Sequence, residues 1–161
     1  MKILSTCLLC LLAASSAFAA SALQHEVSAA VRAHEFSLKK GVILEGYDVV
    51  SYQQGGPQQG SQAHQVEYKG VVYYFVNDAN RSVFLAKPER YEPLYGGWCA
   101  YAMLEGEKTK VNPESYKVVG DRLLLFYDGI WGDTKKLWNE MLEVESKLID
   151  QADAAWEKHL D

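Results

Sequence analysis

The sequence predicts an α+β fold, in which a small antiparallel sheet of two hairpins is packed by helices and the chain ends in a long C-terminal helix. Two pairs of short apolar runs, each joined by a two-residue turn that contains glycine, predict the hairpins. An apolar stripe with three- and four-residue spacing over residues 134–160 predicts the long helix. Hairpins and helices follow one another without a linker, which is typical of a single α+β domain.

The first half of the domain holds one predicted helix and one predicted hairpin. Apolar positions recur at helical spacing over residues 23–38, and Gly41 ends this helix. The hairpin spans residues 66–76 around Lys69-Gly70, because glycine accepts the positive φ that such turns require. Residues 53–65 between these elements are polar and rich in glutamine, so the sequence predicts a solvated, mobile loop there.

The second half of the domain alternates short helices with the second hairpin. Asn77 or Asp78 is placed to cap the first of these helices, and Pro88 is placed to end it. The predicted elements are a helix over 77–86, one or two helical turns over 98–104, a hairpin over 115–127 around Gly120-Asp121, and the long helix over 134–160.

The first 19 residues have the features of a secretory signal. Lys2 precedes an apolar run, and Ala17-Phe18-Ala19 fits the small-x-small cleavage pattern. The run is too short for a membrane span, which needs about 20 apolar residues. Lipid attachment at Cys7 or Cys10 is an alternative, but neither cysteine follows a suitable segment. We therefore expect residues 20–161 to form one periplasmic or secreted domain with no membrane insertion after signal cleavage.

Charge and cysteine content narrow the function classes. The formal net charge is −5, and no run of lysine or arginine is present, which argues against nucleic acid or an anionic membrane as partner. Two of the three cysteines fall within the signal, so Cys99 has no partner for an intramolecular disulfide. A lone cysteine in an oxidising compartment is buried, bound to metal, reactive or paired between chains.

Cys99 is the leading candidate for a metal site. It lies four residues before Met103, so both sulfurs would share one side of a helical turn, an arrangement that suits a soft ion such as Cu(I) or zinc. His64 is the alternative partner for Cys99 in such a metal site. Two alternatives remain open for Cys99. It is either a small buried hydrophobic residue, as free cysteines often are, or a reactive thiol that would need a nearby base.

A crowded set of aromatic residues is the second candidate site. As a ligand pocket it would be apolar with a few phenolic hydroxyls. The alternative is a tyrosine-rich core whose hydroxyls reach the surface or the backbone. An ion pair between Asp48 and Arg81 is expected to be structural. The predicted pocket residues are Tyr47, Asp48, Tyr52, Tyr95 and Trp98.

Four segments of the chain carry a family resemblance. They are Gly46-Tyr47-Asp48-Val49-Val50-Ser51-Tyr52, Tyr68-x-Gly70-x-x-Tyr73-Tyr74-Phe75, Asn80-x-x-x-Phe84-x-x-x-Pro88-x-x-Tyr91 and Tyr95-Gly96-Gly97-Trp98-Cys99-Ala100. Over about residues 42–131 the chain resembles the YHS domain in its exported bacterial form. The resemblance implies a small α+β fold and an association with metal binding.

These observations together predict an exported YHS-type binding protein of the cell envelope rather than an enzyme. The preferred ligand is a copper or zinc ion held through Cys99, and a small organic ligand or a protein partner is not excluded. The alternative is a non-catalytic structural or protein-interaction module in which Cys99 is part of the core. A thiol enzyme is the third hypothesis. The groups that surround the Cys99 sulfur distinguish these three hypotheses.

Overall fold

The first predicted hairpin lies at one side of a four-stranded sheet. The structure, a computed structural model, describes residues 27–161, so the predicted signal and the start of the first predicted helix lie outside the described residues. The strands are β1 (Leu38–Lys39), β2 (Val42–Ile43), β3 (Ser61–Tyr68) and β4 (Val71–Phe75), in the spatial order β1-β2-β4-β3. Strand β2 pairs with β4 in parallel, whereas β1–β2 and β3–β4 are antiparallel.

The turn between β3 and β4 has the predicted conformation. Lys69 and Gly70 have φ values of 47° and 79°, as a two-residue turn with the right-handed twist of its strands requires. A Cβ on Gly70 would lie 2.8 Å from the carbonyl oxygen of Ala29, so glycine also permits the first helix to contact this turn. Strand β3 begins at Ser61 and has a register shift between Ser61 and Val66, so the prediction of a loop through residue 65 is wrong in its last part.

Four short helices precede the second hairpin in the chain. Asn77 caps the second helix by accepting a hydrogen bond from the backbone N–H of Asn80, as predicted. The first helix ends at Glu35, earlier than the predicted residue 38, because the chain turns there to enter β1. The helices are α1 (Ala29–Glu35), α2 (Asp78–Ala86), α3 (Pro88–Tyr91) and α4 (Ala100–Met103).

The second predicted hairpin forms a separate sheet. It consists of β5 (Asn112–Val119) and β6 (Arg122–Phe126). The other edge of β6 lies beside residues 93–99, with parallel bridges from Pro93 to Leu123 and from Cys99 to Leu125. The α+β class is confirmed, but the two hairpins belong to different sheets because residues 93–99 lie along the edge of β6.

The C-terminal region contains a small hairpin and a broken helix. Strands β7 (Asp128–Gly129) and β8 (Gly132–Asp133) lead into α5 (Thr134–Asn139), and α6 (Glu145–Leu160) follows after a 3₁₀ turn at Leu142–Val144. The single helix predicted over 134–160 begins and ends where expected but is interrupted between Asn139 and Glu145. Among the predicted stripe residues, Leu137, Leu142 and Val144 are exposed. The break places the Glu145 carboxylate 2.7 Å from the indole nitrogen of buried Trp138, which donates a hydrogen bond to it.

Strand β6 separates two hydrophobic cores. Leu123 and Leu125 belong to the core beneath the four-stranded sheet, whereas Leu124 and Phe126 belong to the core under α4, α5 and α6. All four side chains are buried, so both faces of this strand are covered. Between residues 27 and 161, no helix combines the length and the hydropathy needed to cross a bilayer.

Candidate functional site

The Cys99 sulfur is enclosed between β6 and the start of α5. The residue is fully buried, and its backbone N–H donates to the Thr109 carbonyl oxygen at 3.0 Å. The sulfur lies 3.3 Å from the Thr134 hydroxyl oxygen and accepts a hydrogen bond from the backbone N–H of Tyr127 at 3.4 Å. The thiol is therefore a packed residue with two polar neighbours, and neither neighbour is a base.

The other two predicted metal ligands do not complete a site with Cys99. The Met103 N–H donates to the Cys99 carbonyl oxygen at 3.0 Å, which confirms the helical turn, but the Met103 side chain packs in the second core. His64 lies on β3 in the other sheet, with its Nδ1 3.1 Å from an Asp78 carboxylate oxygen. Nowhere in residues 27–161 do three histidine, cysteine, aspartate or glutamate side chains converge as metal ligands. The residues present do not fit the predicted copper or zinc ion.

The predicted aromatic pocket is divided between separate parts of the fold. The Tyr47 hydroxyl donates to the Glu114 carboxylate at 3.1 Å, and the Tyr52 hydroxyl donates to the Pro113 carbonyl oxygen at 2.8 Å. Burial raises the pKa of Tyr52 far above its ordinary value. These two phenols therefore attach residues 47–52 to β5 instead of facing a ligand.

Asp48 is a buried acceptor rather than a pocket residue. Its carboxylate accepts hydrogen bonds from the backbone N–H groups of Val50 at 2.8 Å and Val76 at 2.9 Å, and from the Asn80 side-chain amide at 2.7 Å. The predicted pair with Arg81 is wrong, because Arg81 bonds to Asp78 at 3.1 Å. Buried carboxylates need such donors, and Asp48 thereby joins the loop at 48–51 to α2 and the end of β4.

Tyr95 and Trp98 lie next to α6 and the end of α1 and take no part in the hydrogen bonds of Asp48. The Trp98 indole N–H donates to the Glu35 carbonyl oxygen at 2.6 Å and so ties the 94–98 turn to the end of α1. Tyr95 is buried and lines a groove. Of the five predicted pocket residues, Tyr95 alone lines the groove described next.

This groove lies between α1, residues 89–97 and α6, and has a volume of about 330 Å³. We call it the α1–α6 groove. Its apolar walls come from Phe36 and Trp156, whose ring centroids are 5.9 Å apart, and from Leu94 and Leu160. Its volume is at the lower end of the range for small-molecule sites, about 300–1,000 Å³.

A buried ion pair forms part of the groove wall. The Arg32 guanidinium and the Glu92 carboxylate are in direct contact, and the Tyr73 hydroxyl donates to the same carboxylate. Arg32 also donates to the Lys69 carbonyl oxygen at 3.1 Å and lies over the Phe36 ring, 4.4 Å from its centroid. Burial raises the pKa of Tyr73 well above the ordinary value, so this phenol remains a donor.

The exposed rim of the groove carries excess negative charge. Arg122 donates twice to the Asp153 carboxylate, at 2.6 and 2.8 Å. Hydrogen bonding from the Tyr68 hydroxyl lowers the pKa of Glu89, which is ionised at neutral pH. Glu157 forms no ion pair with any residue in the described range 27–161. Two arginines and four carboxylates line the groove, so its formal charge is −2.

Sequence reasoning missed most of this groove. The apolar spacing that predicted the first helix did not identify Arg32, which is the buried residue of α1. A hydrophobicity pattern does not register a charged residue whose partner lies elsewhere in the chain. Arg32 lies outside the predicted apolar stripe, so no local signal in the sequence identified it as buried.

Comparisons of the chain with known protein families, with curated proteins and with solved structures find no match. The class of molecule that would fit the groove therefore follows from its volume, its lining side chains and their charges alone.

Proposed function

We propose that this chain is an exported, non-catalytic YHS-type binding protein, periplasmic or secreted, that holds an amphipathic organic cation in the α1–α6 groove. The observation that carries the proposal is the combination of aromatic walls with surplus carboxylates in one concavity of about 330 Å³. Export and the YHS family rest on the sequence features described above.

The apolar part of the ligand would lie against the wall that Phe36 and Trp156 form together. These rings, together with Leu94 and Leu160, form a surface that favours removal of hydrocarbon from water. The small volume limits the ligand to about the size of one aromatic ring with a short chain. Larger molecules would extend out of the groove into solvent.

The positive charge of the ligand follows from the pairing of the groove's own charges. Both arginines are already neutralised, Arg32 by Glu92 and Arg122 by Asp153, so neither is available for an anion. Of the two other carboxylates at the rim, Glu89 accepts a hydrogen bond from the Tyr68 hydroxyl and lies near the charges of Lys69 and Arg32, whereas Glu157 forms no ion pair within residues 27–161. An ammonium group over the aromatic walls would gain from these charges and from the ring faces.

The surroundings of Cys99 support a binding role over thiol catalysis. A nucleophilic cysteine needs an accessible sulfur and a base that takes its proton. The Cys99 sulfur is buried beside a hydroxyl and a backbone amide. We therefore assign Cys99 to the core and place the ligand site in the α1–α6 groove.

A matched series of three ligands tests the proposal. The probes are 4-phenylbutylammonium, the neutral 4-phenylbutanol and the anionic 4-phenylbutyrate, titrated into the purified protein by calorimetry. We expect the ammonium compound to bind most tightly and the carboxylate least. Glu157→Gln should weaken ammonium binding by about two- to fivefold, since a partly exposed charge pair contributes up to about 1 kcal/mol.

The matched control is Glu143→Gln, which removes a carboxylate from the exposed 3₁₀ turn outside the groove. It should leave ammonium binding unchanged. Equal affinity for all three probes would refute the proposed charge selectivity, and absence of binding by all three would refute the groove as the ligand site.

A further inference from the structure

The hairpin formed by β7 and β8 presents two large apolar side chains to solvent. Ile130 and Trp131 occupy its two-residue turn and are 89% and 87% exposed. Glycine or asparagine is usual in such turns, so large apolar residues there are not explained by turn formation. They contribute to neither hydrophobic core and lie outside the lining of the α1–α6 groove.

The hairpin is held firmly at its base. The Trp131 N–H donates to the Tyr127 hydroxyl at 3.1 Å, and the Thr134 N–H donates to the Tyr127 carbonyl oxygen at 2.9 Å. A Cβ on Gly129 would lie 2.7 Å from the same hydroxyl, so the turn packs closely on the Tyr127 side chain. The tip therefore has a fixed position before any contact, which lowers the entropic cost of binding.

The shape of the tip favours a lipid surface over a protein pocket. Gly129 and Gly132 flank the two apolar residues, so no neighbouring side chains surround them. Protein interfaces usually enclose an anchor residue within a rim that excludes water. Lipids in a fluid bilayer can rearrange around an exposed convex tip, so no preformed pocket is needed. Tryptophan is also enriched at the depth of the lipid headgroups.

Charges near the tip are balanced. Asp133 accepts hydrogen bonds from the backbone N–H groups of Lys135 and Lys136 at 3.0 and 3.3 Å, and Asp128 is exposed. The Lys136 side chain is 80% exposed and can reach a lipid phosphate. Two lysines against two aspartates leave no net local charge. This balance, with the overall net charge of −5, matches a zwitterionic surface better than an anionic one.

We propose that Ile130 and Trp131 insert into the headgroup region of a zwitterionic bilayer, so that the protein rests reversibly on a membrane surface. The contact involves two side chains and does not span the membrane. The resulting affinity is weak. A partition coefficient on the order of 10³ M⁻¹ is expected, below the value of about 10⁴ M⁻¹ for a single myristoyl chain.

Vesicles of phosphatidylcholine provide the test. The purified protein is sedimented with vesicles, and tryptophan quenching is measured with vesicles whose acyl chains carry bromine near the headgroups. We expect quenching in the wild type, and a partition coefficient about tenfold lower for Ile130→Ala or Trp131→Ala. Raising salt from about 50 to about 500 mM should change the coefficient less than twofold, because few charges contribute.

Leu85→Ala is the matched control, since Leu85 on α2 is also exposed, at 51%. It should leave the partition coefficient unchanged. The proposal is overturned if the wild type does not sediment with vesicles, or if Leu85→Ala weakens binding as much as the tip variants. It is also overturned if Trp131→Ala abolishes self-association without vesicles, because the tip would then contact a second copy. Because ligand titration without vesicles tests the groove alone, failure of one proposal leaves the other standing.

Discussion

Arg32 on α1 and Glu92 after α3 form a part-buried ion pair between residues 60 positions apart. The Tyr73 hydroxyl on β4 donates to the same carboxylate, so the pair connects a helix, a strand and the wall of the α1–α6 groove. Both side chains are largely withdrawn from water, at 8% and 16% exposure. Removal of one partner should therefore destabilise the fold more than breaking an exposed pair would.

Arg32→Ala should strongly destabilise the protein. Removal of one partner leaves the Glu92 carboxylate poorly solvated and unpaired, at a cost of about 3–5 kcal/mol in the free energy of unfolding. Urea denaturation measures this cost. The control is Lys39→Ala, which breaks the exposed pair with Glu45 and should cost at most about 1 kcal/mol. Equal effects of the two variants would contradict the importance assigned to the part-buried pair.

Gly96→Ala should destabilise the groove wall by steric conflict. An added Cβ would lie 2.7 Å from Phe36 Cδ1 and 3.0 Å from Phe36 Cα, and the residue has φ of 57°. Gly106→Ala is the matched control, because Gly106 has φ of 74° and open space around its Cβ position. The control should cost about 1 kcal/mol from backbone strain alone. A larger loss in melting temperature for Gly96→Ala would measure the conflict with Phe36, and equal losses would argue against it.

Glu35 should make stability depend on pH in the acidic range. Hydrogen bonds from Lys108 at 2.8 Å and from His34 at 2.6 Å lower the pKa of this carboxyl below its ordinary value of 4.5. A lowered pKa in the folded state gives stability that is present above pH 4.5 and is lost as the pH falls through the folded-state pKa. The difference in unfolding free energy between wild type and Glu35→Gln should therefore shrink on acidification.

Urea titrations at several pH values between about 3 and 7 measure this difference. Glu105→Gln serves as the control, because Glu105 is exposed and forms no ion pair with any residue from 27 to 161. A constant difference across the whole range for Glu35→Gln would show that the ion pairs of Glu35 do not affect stability.

The Cys99 thiol should be protected in the folded protein. Because the sulfur is buried between β6 and α5, iodoacetamide at neutral pH should label it only after local or global opening. Labelling followed by mass spectrometry, with and without urea, compares the two states.

For the metal hypothesis, a metal-stripped wild type and Cys99→Ala should take up equal amounts of Cu(I) and zinc. Excess uptake by the wild type would restore the predicted metal site.

Local sequence signals predicted the hairpins and the capped helix correctly. Lys69-Gly70 and Asn77 determine structure through contacts within a few residues, so their effect is readable without the rest of the fold. The helical turn predicted between Cys99 and Met103 also forms, because it too depends on contacts within a few residues. None of these signals depends on which strands pair.

Long-range contacts determined what the sequence did not predict. The predicted final helix is interrupted because Trp138 enters the core and donates to Glu145 across the break, although the apolar stripe continues through it. The groove depends on Arg32 meeting a carboxylate from a distant segment. Asp48 accepts a hydrogen bond from Asn80, whereas the adjacent Arg81 pairs with Asp78. A buried carboxylate bonds to whichever donors the packed fold places beside it, and these donors are distant in the sequence.

Strand β6 relates the two proposed contact regions in space. Arg122 at its beginning lines the groove, and the Ile130-Trp131 turn follows its end, after a strand whose five residues span about 13 Å. The two regions therefore lie at opposite ends of β6, a strand with a hydrophobic core on each face. A molecule resting on lipid through its hairpin would hold Arg122 and the adjoining groove wall about one strand length back from the inserted tip.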